Sequence, residues 1–196
     1  SVALTACTTG VANTAVGGSA LAVNTTGTQN TAVGKGALDA NTTANNNNAF
    51  GFDALGANTT GTQNSAFGEE TLLANTTGGQ NTAIGSEALK ANTTASNNTA
   101  VGRSALTANT TGHSNTAIGG GGVLDACTTG HSNTGSGLAA LSELTTGVQN
   151  TAYGVYAGLY IGSGSYNTAL GYQAGAYITN LDTGAQCNFI GAYTRP

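Results

Sequence analysis

Charge is what this sequence has least of. Lys and Arg together number 4 and Asp and Glu 8, so charged residues make up 6% of the 196, against about 25% in ordinary soluble domains. Four cations cannot neutralise a run of phosphates, which argues against nucleic acid as a partner. Met and Trp are absent, and there is one Pro. No apolar run approaches the roughly 20 residues of a membrane-spanning helix, so membrane insertion is not expected, and no stretch reads as a secretory signal. Polar chains of low complexity are often disordered, but those are usually rich in charge and Pro. This one is poor in both. A chain of Asn, Thr, Gly and Ala stays ordered only if its backbone is hydrogen-bonded throughout.

What is present is a repeat. The segment NTAVG at Asn13 to Gly17 returns as NTAVG from Asn30, NNAFG from Asn47, NSAFG from Asn64, NTAIG from Asn81, NTAVG from Asn98 and NTAIG from Asn115, each 17 residues after the last. The period then loosens. NTGSG starts at Asn133, NTAYG at Asn150, NTALG at Asn167 and CNFIG at Cys187, at intervals of 18, 17, 17 and 20 residues. Two regions follow: regular coils over 1–132, read as a shaft, and irregular coils rich in Tyr and Gly over 133–196. The chain opens inside a repeat and without Met, which suggests one ordered piece of a longer protein.

Numbered from its first Asn, the coil reads N-T-A-V-G-x-x-A-L-x-A-N-T-T-G-x-Q. Position 4 is apolar: Val16, Val33, Phe50, Phe67, Ile84, Val101, Ile118, then Tyr153 and Leu170. Position 9 is Leu at Leu21, Leu38, Leu55, Leu72, Leu89 and Leu106. Charges gather at positions 6, 7 and 10, as Lys35, Asp39, Asp53, Glu69, Glu70, Glu87, Lys90 and Arg103. That segregation places positions 4 and 9 in the core and positions 6, 7 and 10 in water. Recurrent Gly and paired Thr oppose a helical hairpin, while short Thr/Ala/Val segments between Gly and Asn read as strands and corners. The expected fold is all-β: a parallel β-solenoid (β-roll) of about eleven 17-residue coils. Identical residues then stack about 4.8 Å apart, Asn side chains form amide ladders, and Gly supplies corners with positive φ. Small Ala columns at positions 3 and 8 would either let a neighbouring chain approach, giving an intertwined or side-by-side trimer, or simply fit a thin interior.

The N-[TS]-A-[VFI]-G box resembles the N-S-V-A-I-G box repeated in the heads of trimeric autotransporter adhesins. The later coils, especially NTALGYQAGAYITNLDTG from Asn167, are closer still to repeats of bacteriophage tail-fibre proteins. The resemblance implies a homotrimeric rod outside the cell, on a virion or a bacterial surface. It implies a structural or adhesive role; the fraying of the repeat after Asn133 places any host contact near the C-terminal end, and the scarcity of chemistry-bearing residues predicts no enzymatic activity. An ice-binding solenoid is the alternative, with Thr columns at positions 13 and 14, of which strand alternation lets only one face out.

Chemistry-bearing residues are few, and no cofactor is expected. His113 and His131 share one coil position and should stack; with no carboxylate or Cys at that position they read as polar corner residues rather than metal ligands. Cys7 and Cys127 take the place of the second consensus Asn and Cys187 of the first, seven coils separating the first two, so free thiols are expected. Glu69-Glu70 reads as a solvated corner, and Gly119 to Gly122, lacking a Lys-Ser/Thr ending, as accommodation of the 18-residue coil rather than a phosphate loop. The NTT triplets at Asn24, Asn41, Asn58, Asn75, Asn92 and Asn109 match a glycosylation acceptor but read as ladder positions. Tyr153, Tyr156, Tyr160, Tyr166, Tyr172, Tyr177 and Tyr193 all fall near the end. Among them Tyr153, Tyr156, Tyr160, Tyr172 and Tyr177 are candidates for glycan contact at a cell surface, with a better-filled terminal core as the other reading.

Overall fold

A computed structural model describes residues 2–177 and 186–194; the three extra residues of the 20-residue interval before Cys187, which fall around Asp182, and the final Arg195-Pro196 lie outside them. The described chain has eleven strands: β1 (Thr14–Val16), β2 (Thr31–Val33), β3 (Asn48–Phe50), β4 (Ser65–Phe67), β5 (Thr82–Ile84), β6 (Thr99–Val101), β7 (Thr116–Ile118), β8 (Thr134–Ser136), β9 (Thr151–Tyr153), β10 (Thr168–Leu170) and β11 (Asn188–Ile190). They pair in parallel and in chain order. Register is one coil per step, so Thr14, Ala15 and Val16 face Thr31, Ala32 and Val33. The protein is a parallel β-solenoid of about ten turns with 17-residue spacing. Coil n is numbered here by its strand βn.

Hydrogen bonding between coils extends well beyond the short strands. The Leu38 N–H donates to Ala54 O at 3.0 Å, Thr25 N–H to Thr42 O at 2.9 Å, and Asp53 N–H to Lys35 O at 2.9 Å. A chain with so little apolar bulk depends on this stacking. The corners need left-handed backbone at position 5, where Gly has φ between 108° and 142°. A Cβ on Gly17 would also stand 2.6 Å from Gly34 O. Positions 7, 9 and 17 adopt positive φ without Gly, as in Asp53, Leu55 and Gln63. Glycine content alone does not reveal these corners. Gly at position 15 keeps an ordinary φ, and Ala44 and Ala95 replace it.

The interior holds position 9 Leu, Ala at positions 3 and 8, and Asn at positions 1 and 12, all fully buried from coil 2 through coil 6 except Thr71 in place of one Ala. The expected core is half right. Leu21, Leu38, Leu55, Leu72, Leu89 and Leu106 are buried, but Val16, Val33, Phe50, Phe67, Ile84, Val101 and Ile118 lie on the outer face, with Val16 57%, Phe67 39% and Ile84 42% exposed. The reason is parity. Neighbouring strand residues point to opposite sides, and a coil already filled by Leu and two Asn has room for only the Ala methyl of position 3. That Ala therefore turns inward and positions 2 and 4 turn outward. Both Ala columns are inside, so they fit a thin interior and offer nothing to a neighbouring chain.

Two amide ladders satisfy the buried Asn residues. At position 12, Asn41 Nδ2 donates to Asn24 Oδ1 at 2.9 Å and Asn75 Nδ2 to Asn58 Oδ1 at 2.8 Å. At position 1, the Asn47 backbone N–H donates to Asn30 Oδ1 at 3.0 Å, and Asn47 Nδ2 donates to Gly61 O at 2.8 Å. The position 15 carbonyl accepts from both ladders, since Asn58 Nδ2 also reaches Gly61 O at 2.9 Å. The Asn residues of the NTT triplets are thus inside the coil, held by hydrogen bonds.

Candidate functional site

The sheet presents a continuous outer surface along the rod. Position 2 contributes Thr, Asn or Ser, half-buried in coils 2 to 10, and position 4 contributes Val, Phe, Ile, Ser, Tyr or Leu. No charged residue occupies either position in any of the eleven strands. Phe50 and Phe67 stack with ring centroids 4.8 Å apart and planes 6° apart, as successive coils require. Eleven strands at about 4.8 Å each give an uncharged, partly apolar stripe about 50 Å long.

Charge sits on another edge. None of Lys35, Asp39, Asp53, Glu69, Glu70, Glu87, Lys90 and Arg103 is buried. Lys90 Nζ lies 2.6 Å from Glu70 Oε2 and 2.8 Å from Glu87 Oε1, bridging positions 10 and 7 of adjacent coils. Donation to Glu70 and then to Glu87 raises the Lys90 pKa, and the hydrogen bond and charge of Lys90 lower that of Glu87. Exposed pairs of this kind add little stability. Glu70 therefore belongs to an ion pair across coils, a partnership that 17-residue periodicity alone does not announce.

His113 and His131 stack as expected, with centroids 4.7 Å apart and planes 8° apart, each Nδ1 lying 3.2 Å from the hydroxyl of its own following Ser. Among the described residues no group of three or more His, Cys, Asp and Glu comes together. The three cysteines are free, with Cys127 buried and Cys7 and Cys187 half-buried. Burial pushes the Cys127 thiol up to about 11. In the coil with the extra residue, Gly121 and Gly122 take positive φ, which is backbone accommodation.

The tyrosines do not fill the core. In the terminal coils that task falls to Leu144, Ile161 and Phe189. Tyr153, Tyr160, Tyr166, Tyr172, Tyr177 and Tyr193 are exposed and Tyr156 is half-buried. Tyr153 is on the strand face, at position 4. Positions 6, 7 and 11 of coils 9 to 11 carry Tyr156, Tyr160, Tyr172, Gln173, Tyr177 and Tyr193. Tyr172 and Tyr193 meet edge to face at 5.3 Å. Tyr177 Oη donates to Gln173 Oε1 at 3.3 Å, and Gln173 Nε2 donates to Tyr172 Oη at 3.4 Å.

Fold and surfaces together define the class: a parallel β-solenoid repeat protein. No known protein family, curated protein or solved structure matches the chain.

Proposed function

We propose that this chain is a structural, non-catalytic segment of an extracellular fibre, a homotrimeric rod on a virion or bacterial surface whose copies associate through the strand face. One observation carries the reading. Side chains that would fill a core in an ordinary domain are instead lined up outside it, from Val16 to Ile190 and interrupted by Ser136, on an outer stripe that carries no charge. Water is a poor neighbour for such a stripe, and a second copy carries the same stripe in the same register. A coil interior built of Ala, Leu and Asn is thin, so association adds the burial that a lone solenoid lacks.

An ice-binding role is the second reading, since position 14 forms an exposed Thr column. Against it, the position 13 hydroxyls are engaged along the rod, Thr25 Oγ1 donating to Thr42 O at 3.1 Å. The strand face also interrupts its small side chains with Phe50, Phe67 and Tyr153. Light scattering distinguishes the two. The fibre reading expects a particle of three chains, reduced to the monomer by Phe67→Asp with Ile84→Asp while circular dichroism stays unchanged. A wild-type monomer of 19.0 kDa with thermal hysteresis above an inert control would favour ice instead.

A further inference from the structure

We infer that the tyrosine-bearing edge of coils 9 to 11 is a binding platform for neutral oligosaccharides. The inference goes beyond the fibre reading and stands without it. All seven tyrosines of the chain lie at or after Tyr153, and the coils before them have none. Had they served the interior, they would point inward. The interior is instead rebuilt by other residues. A Cβ on Gly158 would stand 2.8 Å from Ile161 Cδ1, and one on Gly175 would stand 2.7 Å from Phe189 Cδ2. In both cases Gly at position 9 makes room for an apolar side chain from another position. The aromatic rings are thereby left to solvent on the outer corner.

Their arrangement has a chemical logic. At position 7, Tyr156, Gln173 and Tyr193 follow one another up the corner, each with φ between 54° and 58°. Tyr160 and Tyr177 form a second short column at position 11. The Gln173 amide ties Tyr177 to Tyr172, and Tyr193 meets Tyr172 at an edge, so the rings are held in fixed relation. Pyranose rings present C–H faces that stack on such aromatics, with hydroxyls that exchange hydrogen bonds with phenol and amide groups. The described residues of coils 9 to 11 carry no charged side chain, so nothing there selects an acidic sugar, a phosphate or a charged peptide. The described residues also enclose no cavity, which suits the flat face of a sugar chain better than a buried small molecule.

The chain has no Trp, so its ultraviolet emission comes from tyrosines that all lie in this region. Titrating the wild-type chain with neutral gluco-, galacto- and manno-oligosaccharides should give a saturable change in that emission, and a sialylated oligosaccharide should not do better. Tyr172→Ala with Tyr193→Ala should weaken binding roughly tenfold with the circular dichroism spectrum intact, while His113→Ala should leave it unchanged. If the double variant loses its fold, Tyr193→Ala alone is read in the same way. No saturable response to any neutral sugar overturns the inference. So does unchanged binding by the folded variants, or binding confined to the sialylated sugar. Light scattering on the same samples reports assembly separately, so a monomer that binds sugar overturns the fibre and not the platform.

Discussion

Coils 2 to 6 and coils 9 to 11 share one backbone path and solve the interior differently. In the regular coils the position 12 ladder is Asn upon Asn and position 9 is always Leu. Position 12 turns apolar with Leu144 in coil 8 and is Ile161 in coil 9, where position 9 becomes Gly158, followed by Gly175 in coil 10. Volume added at one position is removed at another, as dense packing demands. The same exchange occurs between Val123 and Gly135, where a Cβ would meet Val123 Cγ1 at 2.8 Å. The position 1 ladder is not exchanged. It runs from Asn13 to Asn167 and still accepts the Cys187 N–H at 3.2 Å.

The two ladders differ in what they satisfy. A position 1 Asn accepts from the backbone N–H of the next coil, a buried donor with no other partner, and donates to the position 15 carbonyl. A position 12 Asn bonds mainly to its own ladder, and its second acceptor is a carbonyl that position 1 already serves. Position 12 can therefore turn apolar, provided the ladder ends somewhere. It ends where Cys127 follows Asn109, and Asn109 Oδ1 is left buried without a hydrogen bond. The Cys127 thiol reaches Gly130 O at 3.6 Å, replacing one bond of the Asn it displaces and not the other.

Three experiments press on this comparison. The largest effect should come from Leu89→Asp, which sets a carboxylate in the dry interior at a cost of about 4 kcal/mol or more. Glu87→Lys, outside the same coil, should change the thermal midpoint little. Equal, small shifts from both would mean that inside and outside are wrongly assigned. Next, Asn81→Ala should be costlier than Asn75→Ala, about 3 against about 2 kcal/mol in urea unfolding. The first strands the Asn98 N–H, bonded to Asn81 Oδ1 at 3.0 Å, whereas the second takes the donor from Asn58 Oδ1 and one of two acceptors from Asn92 Nδ2, which keeps Ala95 O. A reversed order would remove the reason given for why one ladder persists and the other stops.

The smallest effect concerns the junction. Cys127→Asn would give Asn109 Oδ1 its donor, but Leu144 comes next, so the unpaired oxygen moves up one coil. Stability at neutral pH should change by less than about 0.5 kcal/mol. Alkaline pH separates the two chains. The Cys127 thiol ionises at about 11 when folded, against 9.0 as the ordinary value. The folded state thus holds its proton longer than the unfolded one, and stability is complete below pH 9 and declines as pH rises toward 11. Cys127→Asn should lose that part of the decline, measured by thermal midpoints across the range.

Much of this was legible in the residues. The recurrence of N-[TS]-A-[VFI]-G fixes the coil length, the parallel register and the all-β class, because side chains in identical coils must stack on themselves. The Leu column at position 9 and the charges at positions 6, 7 and 10 mark inside and outside correctly. Hydrophobicity misplaced position 4, since Val, Phe and Ile recommend themselves for a core while an Ala next door does not. Only the closed coil shows that, where position 9 is Leu, its section admits a methyl there and nothing larger, and that Phe189 fits only beside Gly175. The same limit of volume hid the tyrosines' direction, which became plain once Ile161 and Phe189 occupied the interior. Sequence determined the period and the path; the narrow cross-section, a property of the folded coil, decided which of its apolar residues meet water.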